Sequence, residues 1–403
     1  MDCGVEKDIQ KAVAEFEVLL REQVARNERI RKSRESAGNG KEEGRGVTIG
    51  LTAGDGIGPV IMKEARAVLE KLLAEELASG EVRLREIDGF TLENRLEKGQ
   101  TVPDEVLTEM RQCDVLLKGP TTTPNASMNT KNLESANVYL RKTFDLYANV
   151  RPVSIPEEGI DWTFFRENTE GEYALGSRGI RIGDSLDVDF KVTTREGALR
   201  IARAAFDFAR ANGKKRVSIV TKANIMKKTD GDFLQICREV AEEYPEIETD
   251  NWFVDIMAAN LVNKNIRNQF QVFLLPNLYG DIITDEAAQI QGGVGTAGSA
   301  NIGRDYALFE AIHGSAPRMV EEGIEGYANP ASLMKATAMM LAHIGYVEKA
   351  ERLEKALDAA DAKLGPKMTG LPRVCGRGAG GAVDKVSEMF AFPKTLFVVQ
   401  YSS

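Results

Sequence analysis

A short stretch in the middle of the chain carries a hydroxyl, an amide and three guanidinium groups. These belong to Ser135, Asn137, Arg141, Arg151 and Arg166. An arginine is a permanently charged planar fork that binds a carboxylate through two hydrogen bonds, so several arginines in one pocket predict a substrate with more than one carboxylate. Each arginine taken alone is better explained as a surface residue, so other groups must support this prediction.

Two aspartates with helical spacing are candidate metal ligands. Asp281 and Asp285 are four residues apart at the start of a predicted helix, so their side chains share one face. Two carboxylates this close repel each other unless a cation lies between them, and hard oxygen ligands suit Mg²⁺ or Mn²⁺. Asp255, on a helix predicted over 254–262, is a third candidate. Taken alone, the spacing favours the alternative of a solvated first helical turn.

Acid–base chemistry has few candidate residues. The chain has two histidines, His313 and His343, and the second lies in an apolar helix where we expect a structural role. Lys222, at the end of a predicted strand, and Tyr173 are the remaining candidates. A lysine beside a divalent metal and several arginines loses its proton more easily and can act as a base near neutrality. Residue types alone favour the alternative of a salt-bridged lysine and a core tyrosine.

The composition limits the class of protein and its partners. The 403 residues are enough for two domains or one large one, and 43% of them are apolar. The net charge of −9 argues against nucleic acid as a partner, because phosphate binding needs a concentrated basic surface. Four widely spaced cysteines predict neither a disulfide framework nor a cysteine metal site. No apolar run is long enough to span a membrane, so we expect a cytoplasmic protein without a membrane partner.

The elements that position these residues alternate between helix and strand. Residues 5–34 repeat apolar side chains at three- and four-residue intervals and predict an amphipathic helix, followed by a glycine-rich linker at 36–44. This helix packs onto its own chain or pairs with a partner subunit. From residue 46 on, short strands alternate with helices, which predicts an α/β protein with largely parallel central strands. In such sheets ligands bind beyond the carboxyl ends of the strands, where Lys222 and Asp281 fall.

A glycine-rich loop lies between a strand predicted over 47–52 and a helix predicted to run to about residue 77. Gly54, Gly56 and Gly58 are spaced two residues apart, and the third glycine of the dinucleotide-binding fingerprint is missing. The loop is therefore a weak signal for phosphate binding, and a tight strand-to-helix turn is the favoured interpretation.

Several long motifs follow one another from about residue 46 to 392. They are Gly54–Gly58, Lys118–Pro120, Ser135–Arg151, Phe165–Tyr173, Thr221–Lys227, Asn277–Asp285, Gly292–Gly303 and His313–Pro317. In content and order these motifs resemble the β-decarboxylating dehydrogenases, the isocitrate/isopropylmalate dehydrogenase family.

The resemblance implies a fold and a domain organisation. The family's α/β fold is not a Rossmann fold, and it combines a large α/β domain on the cofactor side with a smaller α/β domain. In this chain the large domain would take residues 46–146 and 292–403. The small domain would take residues 147–291, with an intersubunit clasp at about 171–194. Residues 1–45, the N-terminal helix and linker, lie outside the family core.

The resemblance also points to the isocitrate-using branch of the family. Isopropylmalate enzymes carry apolar residues at the positions of Ser135 and Asn137, so this polar pair would meet the extra carboxylate of isocitrate. Arg141, Arg151 and Arg166 would bind the other carboxylates. The implied partner molecule is therefore a small tricarboxylate.

Metal and proton-transfer roles follow from the same resemblance. Asp255, Asp281 and Asp285 would hold Mg²⁺ or Mn²⁺ together with the substrate hydroxyl and carboxylate. Lys222 would take the hydroxyl proton, and Tyr173 would protonate the enolate that forms when CO₂ departs. In the family Lys222 and Asp255 reach the site from the second subunit, which implies a homodimer with shared active sites.

The resemblance places the nicotinamide cofactor on the large domain. Thr123 and Glu310 match the family's nicotinamide-side residues. His313, the backbone at Gly314, and Asn329 match its adenosine side.

The choice between NAD and NADP depends on the loop after Pro317. Arg318 could bind the 2′-phosphate of NADP. Glu321 could instead accept both ribose hydroxyls of NAD and repel a phosphate. NADP-using relatives carry a lysine at the position of Arg318 and a tyrosine directly after it. This chain lacks that tyrosine, so we expect NAD in preference to NADP.

Other functions stay open at this point. The substrate could be 3-isopropylmalate, homoisocitrate or tartrate, although the Ser135–Asn137 pair speaks against an isopropyl pocket. A non-catalytic regulatory subunit would be expected to have lost metal or proton-transfer residues, and here all are present. A higher oligomer built through the N-terminal helix is a further hypothesis.

Overall fold

The structure is a computed structural model that describes residues 3–35, 46–124, 133–176, 178–184 and 186–364. The linker predicted at 36–44 lies outside the described residues.

Short strands and longer helices alternate along the described chain. The strands are β1 Val47–Thr52, β2 Val82–Glu86, β3 Val115–Lys118, β4 Ala148–Ile155, β5 Ile160–Glu167, β6 Ile180–Ile182, β7 Leu186–Val188, β8 Arg216–Thr221, β9 Glu248–Phe253, β10 Val272–Leu275, β11 Gly298–Ile302 and β12 Ala307–Ala311. The helices are α1 Cys3–Glu35, α2 Gly58–Leu72, α3 Ala74–Ser79, α4 Leu92–Lys98, α5 Asp104–Met110, α6 Ala136–Thr143, α7 Arg195–Ala211, α8 Thr229–Ala241, α9 Val254–Val262, α10 Asn277–Gln291, α11 Pro317–Glu321, α12 Ala331–His343 and α13 Val347–Leu364.

The described residues form two compact units. Unit 1 takes its residues from the ranges 1–43, 134–291 and 301–306, and unit 2 from the ranges 44–133, 292–300 and 307–403. These units begin and end at other residues than the domains expected from the sequence. The first break lies between residues 133 and 134, not between 146 and 147, and α1 belongs to unit 1.

Unit 2 contains parallel strands in the order β2-β1-β3-β12, with β11 beside β12. Strands β1, β3 and β12 are almost entirely buried and mostly apolar, as expected when helices cover both faces of a parallel sheet. Because the strands are parallel, their carboxyl ends lie at the same edge. Lys118, the last residue of β3, is directly opposite Glu310 of β12 in this register.

Unit 1 contains strands in the order β4-β5-β10-β8-β9. Only the β4–β5 pair is antiparallel among these neighbours, so the predicted largely parallel α/β architecture is confirmed. Helix α7 covers one face of this sheet. Its amino terminus is capped by Thr194, whose hydroxyl accepts a hydrogen bond from the backbone N–H of Gly197 at 3.1 Å.

The N-terminal helix packs onto its own chain. The apolar periodicity predicted a helix over 5–34, and α1 covers Cys3–Glu35. Leu19 is buried in a cluster with Ala174 and Leu175. The ring of Phe16 stacks on Phe190 with centroids 4.9 Å apart. None of the described helices combines the length and apolar composition that crossing a bilayer requires.

Candidate active site

Arg151 and Arg166 lie on neighbouring antiparallel strands of unit 1. Arg166 is opposite Asn149 in the β4–β5 register, so Arg151, two residues beyond Asn149, points to the same face of the sheet. Both side chains are buried, with 6% and 0% of the residue surface exposed. Arg141, in the last turn of α6, is half-buried and close enough for its charge to act on Arg166. The three predicted arginines therefore lie close together in unit 1.

The two helix aspartates meet these arginines directly. Asp281 accepts a hydrogen bond from Arg166 Nη1 at 2.5 Å, and Asp285 accepts one from Arg151 Nη1 at 3.0 Å. Arg151 Nη1 also donates to Thr284 Oγ1 at 2.6 Å. Groups that are more than a hundred residues apart in the sequence thus form one arginine–aspartate cluster, which consists of Arg151, Arg166, Asp281 and Asp285.

The start of α10 is shaped to hold Arg166. Asn277, the first residue of the helix, accepts hydrogen bonds from Arg166 Nε at 3.0 Å and from Nη2 at 2.7 Å. At Gly280 a Cβ atom would lie 2.5 Å from Cγ of Arg166, which is too close for a real contact. Glycine at this position therefore lets the buried arginine side chain run along the helix.

Together with Arg141, the two arginines of the cluster put three guanidinium groups against its two carboxylates, Asp281 and Asp285. Burial, followed by the nearby charge of Arg141, lowers the pKa of Arg166 to about 9, while Asp281 opposes this shift. Burial also disfavours the charged form of Asp281, but Arg166, the hydrogen bond from Tyr173 and Arg151 outweigh it and hold the pKa of Asp281 below its ordinary value. Arginines that repel one another in a buried place favour an added anion.

Tyr173 points its phenol into the same cluster. Its hydroxyl donates a hydrogen bond to Asp281 Oδ2 at 2.7 Å, and its ring lies 5.5 Å from the guanidinium carbon of Arg166. Burial, followed by the hydrogen bond to Asp281, raises the pKa of Tyr173 to about 12. The phenol therefore keeps its proton near neutral pH and is available as a proton donor.

Lys222 and Asp255 form a separate pair within the chain. Lys222 follows β8 and Asp255 lies in the first turn of α9, and Lys222 Nζ donates to Asp255 Oδ1 at 2.6 Å. This hydrogen bond lowers the pKa of Asp255. The backbone N–H of Lys222 donates to Asp230 Oδ2 at 2.7 Å, and Lys191 is ion-paired with Asp230 at 2.5 Å. Buried Asp230 thus fixes the chain at Lys222.

The predicted metal ligands do not gather in one chain. Among the described residues there is no group of three or more histidine, cysteine, aspartate or glutamate side chains that could hold a metal ion. Asp281 and Asp285 project from one face of α10, whereas Asp255 is bound to Lys222. Two carboxylates completed by water and substrate oxygens still fit Mg²⁺, which rarely takes an all-protein cage. The donor chemistry therefore suits a hard divalent ion.

Helix α6 presents the polar residues predicted to meet the substrate. Ser135 immediately precedes α6 and does not cap it with its side chain. Asn137 and Arg141 are four residues apart on this helix, so they share a face. All three are half-buried. Their roles in substrate binding stay a prediction.

The predicted nicotinamide-side residues of unit 2 lie at the carboxyl ends of β3 and β12. Glu310 is buried and ion-paired with Lys118 at 3.0 Å, whereas Thr123 is exposed. The two following loops are joined by the hydroxyls of Thr122 and Ser315, which are 2.6 Å apart.

The predicted adenosine-side residues follow in the same unit. His313 Nδ1 lies 2.9 Å from the carbonyl of Gly314, and burial lowers the pKa of His313. Asn329 Oδ1 accepts the backbone N–H of Ala331 at 2.9 Å at the start of α12. Arg318 is highly exposed and donates to Glu322 at 2.6 Å.

The glycine loop has a structural role, as the favoured interpretation expected. Gly54 and Gly56 have φ values of +71° and +60°, and a Cβ atom at Gly56 would lie 1.9 Å from the carbonyl oxygen of Ser315. Asp55, between them, accepts the backbone N–H groups of Leu92 and Thr122 at 2.6 and 2.7 Å. The loop thus anchors the segment that leads to Thr123.

Several supporting residues were not predicted from the sequence. Asn277, Gly280 and Thr284 hold the arginines, and Asp230 holds Lys222. Asn277, Gly280 and Thr284 stand beside the predicted aspartates in the Asn277–Asp285 motif, which was the one signal that could have identified them. Asp230 lies at the start of α8 with no comparable signal.

The fold and the site define an α/β protein with a buried arginine–aspartate cluster facing a tyrosine. The family model described as isocitrate/isopropylmalate dehydrogenase matches residues 48–370, and the chain belongs to this family. The resemblance inferred from the motifs is therefore confirmed. Helix α1 lies outside the matched residues.

Similar proteins carry different substrate and cofactor names. An Arabidopsis thaliana protein named isocitrate dehydrogenase [NAD] catalytic subunit 5, mitochondrial, is 41% identical over 77% of this chain and 80% of its own length. The isocitrate dehydrogenase [NADP] of Rickettsia prowazekii is 38% identical over 76% of this chain. The chain spans only 62% of that relative's length. A homoisocitrate dehydrogenase of Methanocaldococcus jannaschii is 36% identical over 77% of this chain and 89% of its own length.

A solved structure supports the fold over most of the chain. The crystal structure of isocitrate dehydrogenase from Methylococcus capsulatus has a TM-score of 0.74 and 37% identity, and the match covers 85% of this chain and 99% of that one.

Proposed function

We propose that this protein oxidises and decarboxylates isocitrate to 2-oxoglutarate and CO₂, with hydride transfer to NAD and with Mg²⁺ or Mn²⁺ bound. The observation that carries the proposal is the arginine–aspartate cluster, with Arg166 2.5 Å from Asp281 and Arg151 3.0 Å from Asp285. It combines anion-binding groups on buried arginines with cation-binding groups on more accessible aspartates, which suits a metal-chelating polycarboxylate.

Different side chains of unit 1 bind different groups of the substrate. Arg141, Arg151 and Arg166 bind carboxylates, because three guanidiniums carry more charge than the facing aspartates neutralise. Ser135 and Asn137 donate hydrogen bonds to the carboxylate that isopropylmalate lacks. An apolar isopropyl group would instead leave their polar groups unpaired, which costs about 1–3 kcal/mol for each buried group.

Proton and hydride transfer use residues of two subunits. Lys222 of the partner subunit takes the hydroxyl proton, directly or through water, while the hydrogen on C2 leaves as hydride for the nicotinamide. CO₂ then departs from C3 and leaves its electron pair on the substrate. Tyr173 donates its phenolic proton to C3, which gives 2-oxoglutarate. When bound at Asp281 and Asp285, the divalent ion supplies a Lewis acid for the oxygen at C2.

Sharing between subunits explains why the metal ligands are incomplete in one chain. Asp255 and Lys222 lie together at the ends of β8 and β9, where apolar side chains are exposed. Ile225, three residues after Lys222, and Ile256, next to Asp255, are 66% and 43% exposed in the single chain, and in the same unit Val262 at the end of α9 and Ile282 next to Asp281 are 57% and 59% exposed. A concentration of exposed apolar residues next to charged site residues indicates a protein interface. We propose that a second copy of the chain covers this surface and brings Lys222 and Asp255 to the cluster.

The charge of α11 favours NAD over NADP. Arg318, the candidate for binding a 2′-phosphate, donates to Glu322, and Glu321 is exposed beside it. Two carboxylates against one guanidinium make this turn unfavourable for the 2′-phosphate of NADP. A carboxylate such as that of Glu321 can accept the ribose hydroxyls of NAD.

A side-by-side assay tests this function. With Mg²⁺ present we expect the highest kcat/KM for isocitrate with NAD, because Ser135 and Asn137 fit its third carboxylate. NADP should lower kcat/KM at least about tenfold, and 3-isopropylmalate should lower it about a hundredfold, as expected when buried polar groups lose their partners. The measurement is the initial rate of nicotinamide reduction for each pair of substrate and cofactor.

Two results would change the proposal in different ways. A higher kcat/KM for 3-isopropylmalate or homoisocitrate would replace the substrate, and homoisocitrate is the second candidate because a relative 36% identical carries that name. A tenfold preference for NADP would replace only the cofactor.

A further inference from the structure

Helix α1 lies outside the residues that match the family, yet it packs against the segment that carries Tyr173. Leu19 contacts Ala174 and Leu175, the two residues that follow this tyrosine. Phe16 stacks on Phe190. Leu19 of α1 thus packs against the chain directly after the candidate proton donor.

A buried ion pair adds to this apolar contact. Arg26 Nη1 donates to Glu170 Oε1 at 2.6 Å, and Nη2 donates to Thr169 Oγ1 at 2.7 Å. The side chain of Glu170 is only 3% exposed. Charge-assisted hydrogen bonds with buried partners are among the stronger polar contacts, and losing one partner leaves a buried charge unpaired. Arg26 is therefore a firm link between α1 and the turn before Tyr173.

Two buried carboxylates meet in this turn. Burial, followed by the charge of Glu170, raises the pKa of Glu167, while Arg26 and Arg200 act in the opposite direction. Arg200 is held by Asp145 through two hydrogen bonds of 2.6 and 2.9 Å. Arg26 is the guanidinium that bonds Glu170 directly, so its charge offsets the repulsion within the turn.

Hydrogen bonds connect this turn to the candidate active site. The side-chain amide of Asn277 donates to the carbonyl of Glu170 at 2.9 Å, and the same Asn277 accepts hydrogen bonds from Arg166. Gly171 exchanges two backbone hydrogen bonds with Val192, at 2.8 and 3.1 Å. Two residues later Tyr173 reaches Asp281. Arg26 is therefore connected to the phenol of Tyr173 through its hydrogen bond to Glu170 and the three residues of chain that follow.

We propose that α1 is a positioning element of the candidate active site and that Arg26 is its positioning residue. Arg26 holds residues 169–173 so that the phenol of Tyr173 points at Asp281. The catalytic consequence rests on the proposed function, whereas the positioning itself does not.

Three variants on one helix test the proposal. Arg26→Met removes the charge and keeps most of the apolar stem, and Arg26→Lys restores one charged donor toward Glu170. Arg21→Met is the matched control, because Arg21 is exposed and forms its ion pair with Glu17, one turn earlier on the same helix. In Arg26→Met we expect amide hydrogen exchange of the 169–175 peptide to speed up about tenfold. Arg21→Met should match the parent, and Arg26→Lys should lie between them.

Kinetics separate positioning of Tyr173 from a general loss of structure. In Arg26→Met we expect kcat for isocitrate to fall about tenfold to a hundredfold while KM changes less than about twofold, as for other residues that orient a reacting group. Combined with Tyr173→Phe, Arg26→Met should add less than about a twofold further loss, since its effect acts through the phenol.

The outcomes are distinct. Unchanged exchange at 169–175 in Arg26→Met would overturn the proposal, and so would faster exchange with full turnover. The proposal would also be overturned if the losses of kcat in Arg26→Met and Tyr173→Phe multiplied in the double variant. If Arg26→Met does not fold, the same comparison is made with Arg26→Lys, where unchanged exchange and kcat would again overturn the proposal. If no 2-hydroxy acid is a substrate for the parent protein, the proposed function fails and the exchange measurement alone decides whether Arg26 holds the turn.

Discussion

Replacing Lys222 with methionine should lower kcat for isocitrate by about a thousandfold, because a positioned acid–base group contributes about 10²–10⁴ to the rate. Methionine keeps the length of the side chain and removes the amine that accepts the hydroxyl proton. KM should change little, since the arginines of the cluster still bind the carboxylates. The measurement is steady-state turnover at saturating Mg²⁺, isocitrate and NAD.

The stability of this variant should hardly change. In the single chain Lys222 is partly exposed and its partner Asp255 is 61% exposed, so their ion pair is screened by solvent and contributes little to the folding of that chain. Lys355→Met is a matched control, because Lys355 is an exposed lysine of α13 whose carboxylate partner is Glu351 on the same helix. Turnover within tenfold of the parent in Lys222→Met would remove Lys222 from the proton-transfer step.

Replacing Asp281 with asparagine should lower kcat/KM for isocitrate by about a thousandfold or more. The change removes the negative charge of a proposed metal ligand that faces Arg166, and it leaves one acceptor oxygen where the carboxylate offers two, one to Arg166 and one to Tyr173. Loss of one preorganised charge contact in a site typically costs about 10²–10³ in rate, and a metal ligand adds to this. The Mg²⁺ concentration for half-maximal activity should rise as well, which a titration of the rate with Mg²⁺ measures.

This variant should also be less stable than Lys222→Met. Arg166 is fully buried, so losing the charge opposite it leaves a guanidinium that is only partly compensated by Asn277. Asp161→Asn is the control, because it removes an exposed carboxylate paired with Lys214 in the same unit. An unchanged Mg²⁺ requirement in Asp281→Asn would contradict the metal assignment even if activity fell.

Elements governed by local periodicity could be predicted closely from the sequence. The strand Val47–Thr52 and the helix Val254–Val262 have the predicted bounds. A helix predicted to run to about residue 77 instead breaks at Leu73, between α2 and α3. The carbonyl of Leu72 accepts a hydrogen bond from Lys349 at 2.9 Å, far along the chain. A contact with so large a separation in sequence leaves no local pattern from which to predict the break.

In the site, too, features set by local spacing could be predicted, whereas contacts between residues far apart in the sequence could not. Spacing alone placed Asp281 and Asp285 on one helix face, whereas the binding of substrate carboxylates by the arginines stays a prediction. The hydrogen bond between Arg166 and Asp281 joins residues 115 positions apart in the sequence. The hydrogen bond between Arg26 and Glu170 joins residues 144 positions apart. The family resemblance placed Arg166 and Asp281 in one site but did not predict the hydrogen bond between them. The hydrogen bond of Arg26 lies outside the family's matched residues, and only the structure could reveal it.

The most direct test of the account is activity in a mixture of two inactive variants. If each site combines Asp281 of one subunit with Lys222 of the partner subunit, a heterodimer of Asp281→Asn and Lys222→Met chains contains one complete site. After co-expression of the two chains in equal amounts, half of the dimers are mixed and about a quarter of parental activity should return. Activity that stays at the level of the separate variants, although mass spectrometry detects the mixed dimer, would contradict a site shared between two chains.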